Sequence, residues 1–344
     1  MRRCLAGILA AVFLLAGLCG CAKEPEAAGS APGGSDSEEI HIVATVFPVY
    51  EWLRGILGED PEGVRLTLLL DNGVDMHSFQ PTVADLAEIS SCDLIVYVGG
   101  TEDEWMEDAV AEAKNQELQA VRLMDLLGDR VREEEIVEGM KAEEEEHGHE
   151  HGEDGPEYDE HIWLSPVNAR LCVQELNRIL DGLNPAQASR YDAAAAVYEL
   201  QLADLDEKYR KAVEAGQRRT LMFGDRFPFR YMTEEYGLDY YAAFPGCSAE
   251  TEASFETIVF LAEKADALDL DVILTVKGSD GRIAETIGRT TGKGSLQVLA
   301  MDSMEAVKQE YARTGATYLS IMEKNLEVLK TAMEKEEGNV TDHM

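Results

Sequence analysis

Residues 186–215 contain neither glycine nor proline, and within them Tyr191, Ala195, Tyr198, Leu202, Leu205 and Tyr209 recur at intervals of three and four. That spacing lays one apolar stripe along a helix. At 1.5 Å per residue the helix runs ~45 Å, the scale of a whole domain. Asn184-Pro185 starts it and Gly216 ends it. A rod of this length cannot fold back on itself, so the rest of the chain must be arranged on either side of it.

Both sides show the same pattern. Ahead of the rod, strand-type segments at 40–46, 64–70, 94–98 and 120–123 alternate with helical segments at 47–57, 83–89 and 104–113, and a helix at 166–180 follows. Behind it, strands at 220–223, 240–244, 272–276 and 296–301 alternate with helices at 228–236, 253–267, 282–289 and 316–333. Alternation of this kind indicates parallel sheets with both faces covered. The predicted fold is α/β: two lobes, each a parallel sheet flanked by helices, joined by one long rigid connecting helix. The predicted boundaries are 39–183 for the N-terminal lobe, 184–216 for the connecting helix and 217–336 for the C-terminal lobe, with a frayed tail at 337–344 in which His343 is inert. Ligands of such sheets sit beyond the carboxyl ends of the strands.

The chain of 344 residues suits two domains, and 45% hydrophobic content supplies their cores. A net charge of -37 repels nucleic acid and attracts cations. Arg2 and Arg3 precede an apolar run from Leu5 to Leu18 that is too short to span a bilayer of ~30 Å. Residues 1–20 therefore read as a signal peptide. Its end, Leu18-Cys19-Gly20-Cys21, resembles a bacterial lipobox, which makes Cys21 the acylated mature N-terminus and 21–38, rich in Gly, Ser, Pro and Glu, a flexible tether. Cys92, Cys172 and Cys247 remain, widely spaced and odd in number, so no disulfide framework or cysteine-based zinc motif follows.

The stretch from Glu143 to Pro166 reads EEEEHGHEHGEDGPEYDEHIWLSP. Its first part belongs to an acidic loop at 141–160 that is too polar to pack, and carries His147, His149 and His151 at alternate positions. Acidic His-rich tracts of this kind bind divalent metals. Then the sequence turns apolar at His161-Ile162-Trp163-Leu164 and ends in Ser165-Pro166, a helix cap followed by a favoured first residue. His77 lies in a loop just past the second strand, and His41, inside an apolar strand, reads as structural.

Two of these segments carry a family likeness. Gly73-Val74-Asp75-Met76-His77-Ser78-Phe79-Gln80-Pro81 resembles the GVDPHSYEP-type motif of metal-binding lipoproteins, the substrate-binding components of bacterial zinc and manganese ABC importers. Glu160-His161-Ile162-Trp163-Leu164-Ser165-Pro166-Val167-Asn168-Ala169 resembles that family's PHxWLDPxNA motif, and an acidic His-rich loop before it is typical of zinc-type members. The resemblance covers roughly 40–333. It implies a metal site in the interlobe cleft with two ligands from each lobe. His77 and His161 match position for position. For the third ligand, ungapped counting back from Tyr236-Gly237-Leu238 lands on Arg226, which stays protonated and cannot bind metal. Asp225 can, if it sits on a short bend after the strand with Gly224 permitting a sharp turn; it could equally cap the next helix. For the fourth, Asp302 in Met301-Asp302-Ser303 resembles the TDS of manganese-type members, and Glu252 is held in reserve.

The function so implied is high-affinity capture of a divalent transition metal on the outer face of the cytoplasmic membrane, by a lipid-anchored monomer that hands it to a membrane permease of an ABC importer. Zinc accepts mixed nitrogen and oxygen ligands in tetrahedral geometry. Manganese is the alternative, since two histidines and two carboxylates form a harder set than three histidines. The chain is not expected to be an enzyme: no HExxH occurs, and a fourth protein ligand would leave no position for a water nucleophile. A secreted metal-dependent hydrolase and a surface adhesin using the acidic loop are the remaining classes.

Overall fold

The computed structural model describes residues 39–335 apart from 59–60, 72, 141–156, 249–251, 307–310 and 312–313. The expected signal peptide, Cys21, the three histidines of the acidic loop and His343 lie outside the described residues. Strands β1 (Ile40–Ala44), β2 (Val64–Leu68), β3 (Leu94–Tyr97) and β4 (Gln119–Arg122) form one parallel sheet in the order β2-β1-β3-β4. Strands β5 (Thr220–Arg226), β6 (Asp239–Phe244), β7 (Val272–Val276) and β8 (Gln297–Met301) form a second in the order β6-β5-β7-β8. The two sheets repeat one topology. Every residue of β3 and β7 is buried, as expected of apolar strands covered on both faces, while the edge strands β4 and β8 keep exposed positions.

The covering helices are α1 (Phe47–Leu57), α2 (Val83–Ser91), α3 (Trp105–Ala111), α4 (Leu123–Leu127) and α5 (Pro166–Leu183) in the first lobe. The second lobe has α7 (Arg230–Tyr236), α8 (Phe255–Ala267), α9 (Arg282–Thr290) and α10 (Tyr318–Met333). Helix α4 is absent from the sequence expectation, which carried the fourth strand to residue 123. In the structure Leu123 instead opens a short helix that buries Leu123, Met124 and Leu127. The connecting helix, α6 (Ala188–Ala215), buries Tyr191, Ala195, Tyr198, Leu202, Leu205 and Tyr209 on one side, the stripe read from the sequence.

Helix α6 binds the lobes into one core. Its Tyr198 ring lies against Gly55 of α1, while the Tyr209 hydroxyl donates to the Met322 carbonyl of α10 at 2.8 Å. Trp52 of α1 meets Tyr318 of α10 edge to face, with centroids 5.6 Å apart. The largest apolar cluster accordingly runs through both sheets, and a smaller one around Phe244, Leu261 and Ile287 fills the outer side of the second lobe.

A strap also crosses from the first lobe to the second. Residues flanking 141–156 are tied to each other, Glu134 N–H donating to the Glu157 carbonyl at 2.9 Å and Asp159 N–H to the Arg132 carbonyl at 2.8 Å. Both sides then fasten to the second lobe: Arg132 pairs with Glu234 at 2.6 Å, Glu134 accepts the Cys247 N–H at 2.9 Å, and the Tyr231 hydroxyl donates to the Asp159 carbonyl at 2.7 Å. Gly139, at φ +94°, lies so close to the Phe260 ring that a side chain there would collide with it.

Candidate metal centre

The carboxyl ends of both sheets face one cleft, and three donors meet in it. His77 Nε2 lies 3.3 Å from His161 Nε2, and Glu305 Oε1 lies 3.1 Å from the first and 2.8 Å from the second. Among the described residues this is the one group of histidine, cysteine or acidic side chains whose donor atoms converge closely enough to hold a metal ion. His161 and Glu305 are buried and His77 is half-buried.

Local turns aim the two imidazoles. His77 sits in a single helical turn, Met76–Ser78, whose cap Asp75 accepts the His77 N–H at 3.1 Å. His161 precedes the turn Ile162–Leu164, and Asp159 Oδ1 accepts both its backbone N–H and its ring Nδ1–H at 2.9 Å. That carboxylate fixes the tautomer and leaves Nε2 as the donor, the usual support of a metal-binding histidine. Glu102 Oε1 lies 3.7 Å from His77 Nδ1, beyond the length of a normal hydrogen bond.

Glu305 arrives by a different route. Asp302 N–H donates to Asn325 Oδ1 at 2.8 Å, and Asn325 Nδ2 returns a bond to the Asp302 carbonyl at 2.8 Å. The chain then reverses at Met304, a non-glycine residue at φ +61°, and Glu305 turns inward. Trp163 Nε1 donates to the Ser303 carbonyl at 2.7 Å, which moors this loop to the same turn that carries His161. The second Glu305 oxygen accepts from the Ser303 hydroxyl and lies 3.4 Å from the Arg226 guanidinium, and Arg226 also pairs across the cleft with Asp75.

The structure brings His77 and His161 together but leaves the expected carboxylates elsewhere. Asp225 does not sit on a bend, because β5 continues through it to Arg226 with a register shift after Phe223. Its oxygens accept the backbone N–H of Arg226 at 2.9 Å and of Val276 at 3.1 Å, stitching the irregular strand end to β7. Gly224 serves close packing and not a sharp turn: a Cβ there would come within 2.5 Å of Ala284 in α9. Asp302 is the hub of its loop, with the Tyr311 hydroxyl 2.7 Å from both oxygens, Met304 N–H at 3.1 Å and Lys277 Nζ at 3.1 Å. Glu252 is exposed and outside the cluster. Glu305 is not among the sequence candidates because it lies two residues beyond the Met301-Asp302-Ser303 motif. The available signal was a lone acid between Met304 and Ala306, an apolar setting that demands a partner.

Charge couples the three donors. Burial opposes protonation of His77, but Glu102 and Glu305 outweigh it and lift its pKa to about 9. Burial likewise opposes protonation of His161, and Glu305 and Asp159 raise it to about 10. Glu305 is held well below the usual carboxylate range: its burial acts upward, and His161, His77 and Arg226 overcome that. Behind the cluster, burial pushes Glu160 up to about 7 although it accepts the Glu102 N–H. The Glu305 carboxylate thus favours protons on the imidazoles, and a divalent cation can replace them.

Elsewhere, His41 bonds Thr67 at 3.1 Å and lies 3.2 Å from Glu88, a structural arrangement. Cys92 and Cys172 are buried free thiols, and Cys247 is half-buried and free. Among the described residues no helix is long and apolar enough to cross a membrane.

Comparison with known proteins gives a consistent set of matches. The profile of the family described as zinc-uptake complex component A, periplasmic (ZnuA), matches residues 42–332. The zinc-binding lipoprotein AdcA of Streptococcus pneumoniae is 26% identical over 330 residues, 95% of this chain and 60% of that protein. The chain therefore spans about 60% of the length of that relative. The high-affinity zinc uptake system protein ZnuA of Bacillus subtilis is 27% identical over 328 residues, covering 95% of this chain and 96% of its own length. In fold, the crystal structure of the Zn(II)-bound ZnuA-like domain of the S. pneumoniae AdcA agrees with a TM-score of 0.67 at 23% identity, over 86% of this chain and 100% of that one.

Proposed function

We propose, from the premise that this chain belongs to the zinc-uptake complex component A family, that it captures zinc outside the cytoplasmic membrane and delivers it to the permease of an ABC importer. One observation carries the reading: two imidazole nitrogens and one carboxylate oxygen, from both lobes, lie within hydrogen-bonding distance of a common point. Zinc takes this mixture of nitrogen and oxygen donors readily. His77, His161 and Glu305 are the ligands in this reading, Asp159 and Asp75 orient the histidines, and Asp225, Asp302 and Glu252 do not touch the ion. All three donors belong to one chain, so a monomer suffices.

Cys21 carries the lipid that keeps the protein at the membrane, 21–38 is its tether, and His147, His149 and His151 hold further ions weakly and raise the local supply. The lobes are 39–183 and 217–336, with 184–216 between them. The protein does no chemistry on its cargo. Mass spectrometry of protein purified without chelator or a histidine tag tests this, followed by competition among zinc, manganese and nickel. One tightly held zinc per chain is expected. Manganese displacing zinc at equal free concentration would overturn the choice of metal, and absence of any tight metal would overturn the function.

A further inference from the structure

The donor set leaves one corner open. A tetrahedral zinc ion takes four ligands, and three converge here among the described residues. At the position where the family resemblance puts another ligand stands Arg226, which is always charged. Its Nη2 serves both Asp75 and Glu305, while Nε and Nη1 make no hydrogen bond among the described residues. Beside it opens a cavity of about 550 Å³, reached by His77, Glu305 and Lys277 and walled in part by Gly278 and Ser279. A water molecule's share of liquid volume is only about 30 Å³. The space is that of a small-molecule pocket, which typically measures roughly 300–1,000 Å³.

Charge sets the order of events. Asp75, Asp225, Asp280, Asp302 and Glu305 face this cavity against His77, Arg226 and Lys277, so acids outnumber bases there and a free anion is repelled. A divalent cation on the imidazoles and Glu305, taking the place of the imidazole protons, gives an incoming carboxylate a coordination position at the inner wall. It also draws the Glu305 carboxylate away from Arg226, whose fork then suits a second carboxylate in two-point contact. Lys277 Nζ, on a side chain 41% exposed, stands on the same cavity. Resting on the reading that this cleft holds zinc, we infer that the fourth coordination position is filled by the carboxylate of a small exogenous chelator of the citrate or amino-acid class. Arg226 and Lys277 grip it, and the protein carries metal as a ternary complex.

The test uses the mature chain, with native mass spectrometry and calorimetry of zinc alone, citrate alone, and zinc with citrate or histidine at matched free zinc. A 1:1:1 complex is expected, with zinc affinity raised about tenfold and, by reciprocity, citrate affinity raised by the same factor. Citrate alone should give no heat. Arg226→His, which places an imidazole where the guanidinium stood, should bind zinc alone more tightly and lose the citrate effect. Arg226→Lys should keep part of that effect, and Lys277→Met should reduce it severalfold. Zinc bound equally with and without either carboxylate, in a binary complex only, would overturn the inference and leave the proposed function standing. An Arg226→His variant with undiminished citrate dependence would overturn it too. No zinc uptake in any arm would remove the proposed function and the inference with it.

Discussion

The two lobes bring their donors to the cleft by different means. In the first, each histidine follows an aspartate by two residues, Asp75-Met76-His77 and Asp159-Glu160-His161, and in both the aspartate accepts the histidine's backbone N–H, at 3.1 Å and 2.9 Å. This is a local turn that a short polar side chain forms with its own backbone, and it fixes the imidazole wherever the segment is placed. In the second, the Ser303 hydroxyl is the one local contact to the Glu305 carboxylate among the described residues, and it does not by itself bring that loop to the cleft. Its direction depends on Asn325 holding the Asp302 backbone, on Met304 at φ +61°, and on Trp163 of the other lobe reaching Ser303. A donor set by a short motif can be read from sequence, whereas one set by a tertiary knot cannot.

The sharpest attack on this contrast exchanges carboxylates within the second lobe. Glu305→Gln should weaken zinc by more than about 100-fold, the upper end for loss of a supporting partner and so a lower bound for a ligand. Asp225→Asn and Asp302→Asn should change zinc affinity by less than about threefold, while each costs about 1–3 kcal/mol of stability through the N–H or hydroxyl groups left unpaired. Calorimetry and denaturant unfolding measured together decide it. If Asp302→Asn alone abolished binding while Glu305→Gln did not, the loop would carry its ligand at the motif after all.

The local turns come next. Asp159→Ala should cost about 10–100-fold in zinc affinity, because His161 would lose the acceptor that orients Nδ1. Asp75→Ala should cost less, as its carboxylate meets the backbone of His77 and the Arg226 guanidinium but not the His77 ring. Equal losses would mean that Asp75 acts mainly through Arg226 and not through the turn.

Acidity offers a third, smaller lever. Both histidines have folded pKa values above the ordinary 6.5, about 9 and about 10. In metal-free protein their pairing with Glu305 therefore adds stability that is complete below pH 6.5 and is lost as pH rises through those values. Zinc needs the neutral rings, so its affinity runs the other way and climbs with pH, by up to about tenfold per unit for each proton expelled. Calorimetry at pH 7 in buffers of different ionisation enthalpy should show proton release of about two per zinc. Release of none would mean that the imidazoles are already neutral.

Much of the scaffold was legible because it rests on short-range pattern. The stripe from Tyr191 to Tyr209 fixes α6, and the apolar runs at Ile42, Leu94, Phe223 and Leu274 fix the central strands. What escaped depends on close approach or unusual backbone. Gly224 reads as a turn glycine until Ala284 is seen packed against it, and only the register shift in β5 shows why Asp225 is occupied by backbone N–H groups. Leu123 reads as the end of a strand because its apolar neighbours suit strand and helix alike over so short a length.

The strap that fastens the chain on both sides of residues 141–156 has a consequence for engineering. The described chain around that interval is pinned to itself by the Glu134–Glu157 and Asp159–Arg132 bonds and to the second lobe by Arg132 and Tyr231. Whatever joins the two sides closes a loop whose ends are already held together, and doubling such a loop adds only about 0.6 kcal/mol of closure entropy. The interval is therefore an insertion port that ends three residues upstream of Asp159, the acceptor for His161. A fluorescent reporter spliced there would leave α6 and both sheets undisturbed, and would turn the centre into a genetically encoded gauge of free metal.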